Sequence, residues 1–172
     1  MKEEGKVGNF VEALVSQEKS ILIPEEYDYW GELIGGWDLD YVEGRGTPKE
    51  KHVKGEWYFE RVLEGLGIQD IFICPARSER KDPTKGEYGA TLRIYNPQKK
   101  AWDMVYGCYG SMSRFTGTKE NGRVILTNNH NHNNRWIFTE IKKDSFHWQN
   151  ETTQKDGTVK VWCEVYGRRQ KA

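Results

Sequence analysis

The chain has 172 residues, of which 36% are hydrophobic and 13% aromatic, with seven Trp and nine Tyr. That length suits one domain over 1–172, whose core must draw much of its apolar area from a few large rings. Lys plus Arg equals Asp plus Glu at 26 each, which excludes a whole-surface attraction to nucleic acid or to an anionic membrane.

The first residues, Met1 to Lys6, are charged and carry no apolar signal segment. No run along the chain approaches the ~18 apolar residues of a membrane span. The three cysteines, Cys74, Cys108 and Cys163, are far apart, odd in number and form no CxxC, so reduced thiols in a cytoplasmic protein are expected. Phe10, Ala13 and Leu14 share one helical face, with Val11 and Val15 beside it. This predicts a helix from about Asn9 to Ser20, capped by Asn9 and stopped before Pro24. The resulting helical cap, residues 9–22, is expected to cover one mouth of the domain or to serve as a lid.

After that the chain reads as strand. Alternating segments recur every ~10–15 residues between clusters of Gly, Pro, Asn, Asp or Lys. They fall near 35–43, 51–63, 67–75, 88–96, 101–109, 112–119, 122–128, 134–142, 145–152 and 158–168. Glu64-Gly65, Asn96-Pro97-Gln98, Glu120-Asn121-Gly122, Lys143-Asp144 and Lys155-Asp156-Gly157 have the chemistry of tight turns. Consecutive short turns favour a meander, and a meander this long removes its edges by closing. The expected fold is all-β: a closed antiparallel up-and-down β-barrel of about ten strands over 33–169, with an N-terminal helix. The charged stretch from Ala76 to Glu87 reads as a solvated loop.

Residues two apart on a strand share a face. Trp162, Glu164, Tyr166 and Arg168 lie on one face of the last strand, opposite Val159, Val161, Cys163 and Val165. Trp57, Phe59 and Arg61 oppose Glu56, Tyr58 and Glu60. Thr91, Arg93 and Tyr95 oppose Ala90, Leu92 and Ile94. The faces read as interior mix Trp and Tyr with single charges, Asp70, Arg93 and Glu164. Buried charges need partners, so Arg93 paired with Asp70 or Glu164 would place polar groups among aromatic walls, the chemistry of a small-molecule pocket. The alternative is that these charges form cross-strand pairs on the outer face.

Gly35-Gly36-Trp37 at the first strand and Arg168 near the end of the last resemble the calycin pattern of lipocalins and fatty-acid-binding proteins. In that pattern a Gly-x-Trp places a Trp across the barrel base and an Arg packs over it, which assigns structural roles to Trp37 and Arg168. The chain also resembles an uncharacterised group of bacterial lipocalin-like proteins. The resemblance runs through Gly55 to Gly65, Ile68 to Ile73, Tyr88 to Tyr95, Trp136 to Ile141 and Asp144 to Trp148, and implies the fold. A helix before the first strand departs from fatty-acid-binding proteins, whose helical lid follows it.

Asn128 to Asn134 holds His130 and His132, a pair able to chelate a metal, but the Asn content of the run reads as a turn. A haem barrel of the nitrobindin kind needs an interior axial His. Of the two strand-borne candidates, His52 and His147, the latter faces away from Phe146 and Trp148, which are read as interior. Asp70 and Glu164 are candidate acid–base carboxylates, with Tyr106 or Tyr166 as a proton donor. No phosphate loop, dinucleotide fingerprint or nucleophile elbow is present.

The reading is therefore a barrel that binds a small aromatic or partly apolar ligand, its Arg favouring an anion such as a carboxylate. Trp57, Trp102, Met104, Tyr106, Trp148 and Trp162 are expected as walls, with Asp70, Arg93 and Glu164 orienting polar groups. No cofactor or metal is called for. A cofactor-free lyase or isomerase in the same cavity is the alternative, and a solid structural barrel the third. Expected partners are the small-molecule ligand and, through an exposed aromatic sheet face, a second copy in a homodimer, but neither nucleic acid nor membrane.

Overall fold

The computed structural model describes residues 4–172, with side chains from residue 8 onward. Ten strands close into one antiparallel barrel: β1 (Gly35–Glu43), β2 (Lys51–Val62), β3 (Gly67–Cys74), β4 (Glu87–Asn96), β5 (Ala101–Cys108), β6 (Ser111–Glu120), β7 (Arg123–Asn128), β8 (Asn134–Ile141), β9 (Ser145–Thr153) and β10 (Val159–Arg169). Each strand pairs with its neighbours in sequence, and β1 pairs with β10 to close the ring. The expected up-and-down barrel is thus the observed one, with strand limits within about two residues of those read from alternation and turn chemistry. No helix among the described residues is long and apolar enough to cross a membrane.

The N-terminal helix is displaced from its expected place. It runs over Glu4–Leu14 (α1), so Asn9 is inside it rather than capping it, and the chain has left the helix well before Ser20. Phe10 and Val11 are exposed, so the helix does not plug the mouth. The segment that follows does so. Val15 bridges to Val62, and two 3₁₀ turns, Glu25–Tyr27 and Gly31–Leu33, carry Ile23, Tyr29, Trp30 and Leu33 into the barrel end, where all four are buried. These four lack helical spacing because each serves as an individual stopper, while Ile21 and Leu22 stay exposed.

This plug is fastened through its backbone. Ser16 N donates to Arg61 O (2.8 Å) and Ser20 N to Gly65 O (3.1 Å). Gly65 has φ +77°, and a Cβ there would lie 2.2 Å from Glu18 O, so the turn needs glycine for both conformation and space. The Arg61 guanidinium pairs with Asp28 at 3.1 Å.

At the plugged end the interior is packed with rings. Trp30 meets Trp102 and Phe138 edge-on, with centroids 6.0 and 6.1 Å apart, an arrangement the ring quadrupoles favour. Trp37 Nε1 donates to Leu33 O and Trp102 Nε1 to Tyr27 O, both at 2.8 Å. The plug therefore supplies carbonyl partners for two buried indoles as well as apolar area.

Arg169, rather than Arg168, completes the base. Its guanidinium carbon lies 4.2 Å from the Trp37 ring centroid, while Nη1 donates to Ile34 O (2.8 Å) and Nη2 to Glu32 O (2.5 Å). Trp37 sits opposite Arg169 in the β1–β10 register, so the two share the inner face. Arg168 is exposed on the other face.

Candidate functional site

The interior contains a cavity of about 90 Å³ lined by residues from nine strands, among them Trp57, Arg93, Met104, Tyr106, Trp136 and Trp148. It has room for several water molecules. At one side of it lies Arg93, one of the most buried side chains in the barrel. Its Nη1 is 2.5 Å from Asp70 Oδ2, and its guanidinium carbon lies 4.6 Å from the Trp30 ring and 5.5 Å from the Phe59 ring. Arg93 therefore connects the aromatic plug to the cavity. Of the two placements left open by sequence, the interior pair with Asp70 is the observed one.

The Arg93–Asp70 contact is an ion pair, with no hydrogen bond joining the two side chains. Among the described residues, Arg93 Nε, Trp57 Nε1 and Trp148 Nε1 are buried donors without a hydrogen-bond partner. A buried donor left unpaired costs about 1–3 kcal/mol, and here three belong to side chains that line one cavity.

The opposite chemistry lies at the strand ends away from the plug. Tyr106 O–H donates to the carboxylate of Glu87, the first residue of β4. Burial, with the Glu87 charge adding to it, drives the Tyr106 phenol far above its usual range, so this hydroxyl stays a donor. Gly89 makes room for it: a Cβ there would be 2.6 Å from the Tyr106 oxygen. Burial likewise raises Tyr41, with the Cys163 thiol beside it, and pushes the Cys74 thiol up to about 12. All three cysteines are free.

Of the residues expected in the wall, Trp57, Arg93, Met104, Tyr106 and Trp148 line the cavity. Asp70 stands behind Arg93 as its counter-ion rather than on the surface of the cavity. Trp102 is buried in the plugged end. Trp162 and Glu164 correct the expected orientation of β10. Trp162 is 48% exposed, stacked under Lys160 Nζ at 3.6 Å, and Glu164 pairs with Arg45 and His147 on the outer wall. Cys163 and Val165 face inward instead. Asp70 and Glu164 thus lie on opposite sides of the wall and cannot flank one substrate.

Sequence reading missed Tyr41, Phe72, Glu87, Thr91, Leu126, Trp136, Asn150 and Cys163 among the lining residues. Face sharing carries the signal for several of them. Phe72 is the β3 partner of Trp57, and Glu87 and Thr91 lie on the Arg93 face of β4. His52 is held outside by Asp40 and Glu50, and His147 faces outward beside Glu164, so neither His lines the cavity. Among the described residues no group of three or more His, Cys, Asp or Glu is placed to hold a metal ion. His130 and His132 lie in a turn whose backbone is held by Asn128 and Asn131 side chains.

No family model matches the chain, and no curated protein matches it in sequence. Among solved structures, Rv2717c from M. tuberculosis aligns over 90% of this chain and 100% of its own, with a TM-score of 0.56 and 9% identity. The likeness is one of fold. A redesigned β-barrel, b11L5F_LGL, aligns over 86% of this chain and 100% of its own, with a TM-score of 0.39 and 12% identity.

Proposed function

We propose that the barrel is a calycin-like vessel that binds a small anionic molecule, such as a carboxylate, in its interior cavity. The observation that carries this reading is the set of unpartnered buried donors, Trp57 Nε1, Trp148 Nε1 and Arg93 Nε, on side chains around one void. An acceptor-rich group among them would complete hydrogen bonds that folding leaves unmade. Glu87 repels an anion, so the acidic head lies toward Arg93 and the apolar remainder lies against Met104, Phe72 and Trp136. A volume of about 90 Å³ suits a head group of a few heavy atoms. The Trp37–Arg169 stack supports the calycin-like kinship, and three unpaired thiols are in keeping with a reducing, cytoplasmic setting.

Native mass spectrometry of the purified protein, set against its denatured mass, tests for a retained ligand. A thermal-shift series with small carboxylates tests for exchangeable binding. Expected is a carboxylate-dependent rise in melting temperature that falls at least tenfold in apparent affinity in Trp57→Phe and Trp148→Phe, each of which keeps the ring and loses the donor. Equal affinity in both variants and wild type would overturn the reading.

A second reading, turnover of the bound molecule by a cofactor-free lyase or isomerase, is favoured by the Tyr106–Glu87 contact on the cavity wall. A buried phenol paired to a carboxylate is a proton-transfer unit. Glu87→Gln is expected to abolish product formation while leaving ligand affinity within about threefold, as followed by NMR of the bound carboxylate.

A further inference from the structure

The outer wall of the barrel carries a second chemical arrangement, independent of the cavity. In β8 the register shifts between Phe138 and Glu140, so Thr139 is a bulged residue. Bulges re-aim side chains, and this one turns the Thr139 hydroxyl onto the neighbouring strand. Its Oγ1 lies 2.5 Å from His147 Nδ1, while His147 Nε2 lies 2.9 Å from Glu164 Oε1. Glu164 is in turn held by Tyr166 O–H at 3.1 Å and by Arg45 Nε at 3.3 Å. The His147 and Tyr166 rings stack at 4.6 Å.

This order of groups fixes the tautomer. An ionised carboxylate only accepts, so the Nε2 bond to Glu164 requires the proton on Nε2. The neutral imidazole then presents a lone pair at Nδ1, and the hydrogen bond there is donated by Thr139. A hydroxyl whose proton is aimed at a base, itself oriented by a carboxylate, is the arrangement of an activated nucleophile. The half-buried Thr139 lies beside a groove that its base lines. His147 and Glu140, the cross-strand partner of His147, line an open groove of about 990 Å³ on the outer wall, together with Ser145, Tyr166 and Arg168.

We infer that Thr139, His147 and Glu164 form a nucleophile–base–carboxylate relay on the outer wall that transfers acyl groups from small esters. Thr139 Oγ1 attacks the ester carbonyl carbon as its proton passes to His147 Nδ1. The C–O bond to the leaving alcohol breaks and that oxygen takes the proton from Nδ1. Water, deprotonated by the same nitrogen, then cleaves the threonyl ester and restores the hydroxyl. Thr139 and His147 are the catalytic residues. Glu164 is a positioning residue.

The test is p-nitrophenyl acetate with the full chain, read both as p-nitrophenolate release and as acetyl adducts mapped by peptide mass spectrometry. Expected is an O-acetyl group on Thr139, a pH profile that rises through the imidazole range, and at least a hundredfold loss of release in Thr139→Val and in His147→Gln. Thr139→Ser retains the burst. Glu164→Gln keeps the adduct but lowers kcat at unchanged KM, a split that a merely structural role would not give. Far-ultraviolet circular dichroism and melting temperature confirm that each variant is folded. Acetylation confined to lysines, or unchanged release in folded Thr139→Val, would overturn the inference.

Discussion

The two ends of the barrel interior treat the same side chain differently. At the plugged end, Trp37 and Trp102 each give their indole proton to a backbone carbonyl of the segment that closes the mouth. Beyond Arg93, Trp57 and Trp148 are as deeply set in rings but their indole protons have no partner among the described residues. The first pair shows that the plug provides acceptors for the indoles within reach of its carbonyls, whereas the Trp30 indole of the plug itself, packed edge-on to Trp102 and Phe138, goes without one. The second pair differs from Trp30 in its surroundings, because its unpartnered indoles belong to side chains that line a cavity rather than to a ring-packed end.

The largest effect is expected at the boundary between the two ends. Asp70→Ala leaves the Arg93 charge buried and unpaired, which should destabilise the barrel by about 3–5 kcal/mol; urea denaturation measures this directly. A loss below ~1 kcal/mol would mean that the interior is wetter around Arg93 than its burial indicates. A finer break comes from replacing tryptophans by phenylalanine at each end. Trp37→Phe strands the Leu33 carbonyl and should cost about 1–3 kcal/mol. Trp148→Phe removes a donor that has no partner and should cost less than ~1 kcal/mol, or even stabilise the unliganded protein. Equal costs would erase the distinction.

The smallest effect concerns the thiols. Burial holds Cys74 at about 12 in the folded protein against a reference of 9.0. The folded pKa is raised above the unfolded one, so the stability it reflects is present below pH 9 and lost as pH rises toward 12. Thiol labelling at pH 8 should modify half-buried Cys108 first, with Cys74 and Cys163 protected until the barrel opens. A ligand that fills the cavity should slow Cys163, which lines it, more than Cys108.

Much of this was legible in the sequence, and the errors on β10 share one cause. Strand limits followed from alternation and turn chemistry, because both are local properties. The direction of each face did not, and β10 shows why. Placing Arg168 over Trp37, where the register has Arg169, is a slip of one residue. A slip of one residue moves every side chain of a strand to the other face. The expectation that Trp162 and Glu164 point inward is the same slip seen further along the strand. Size misled as well, since the outward Trp162 is larger than the inward Val165, although its ring lies under Lys160 in solvent. The plug was hard to read for another reason. Ile23, Tyr29, Trp30 and Leu33 obey neither a helical nor a strand period, because each fills a separate gap between strand ends.

Arg93 and Asp70 illustrate the limit from the other side. Sequence could propose their pairing but not its location, since a charge in a mixed strand fits either face. The inward residues of the neighbouring strands had to be seen in register before the pair could be placed. Glu87 was hidden by its position at the end of a charged loop, where one more acidic residue carries no signal.

The closing seam has a consequence for how the protein is made. The β1–β10 ladder, from Trp37↔Arg169 to Glu43↔Cys163, joins the first strand to the last. On the ribosome, β1 can pair with β2 early but must wait with one edge bare until β10 has emerged. During that interval the nascent sheet is an open template for other chains. Contacts of such long sequence separation also form slowly. The nascent plug is tied to β2 through Arg61 and to the following turn through Gly65, contacts that can form before closure. The final strand then brings Arg169 to the Trp37 ring as the ring is sealed.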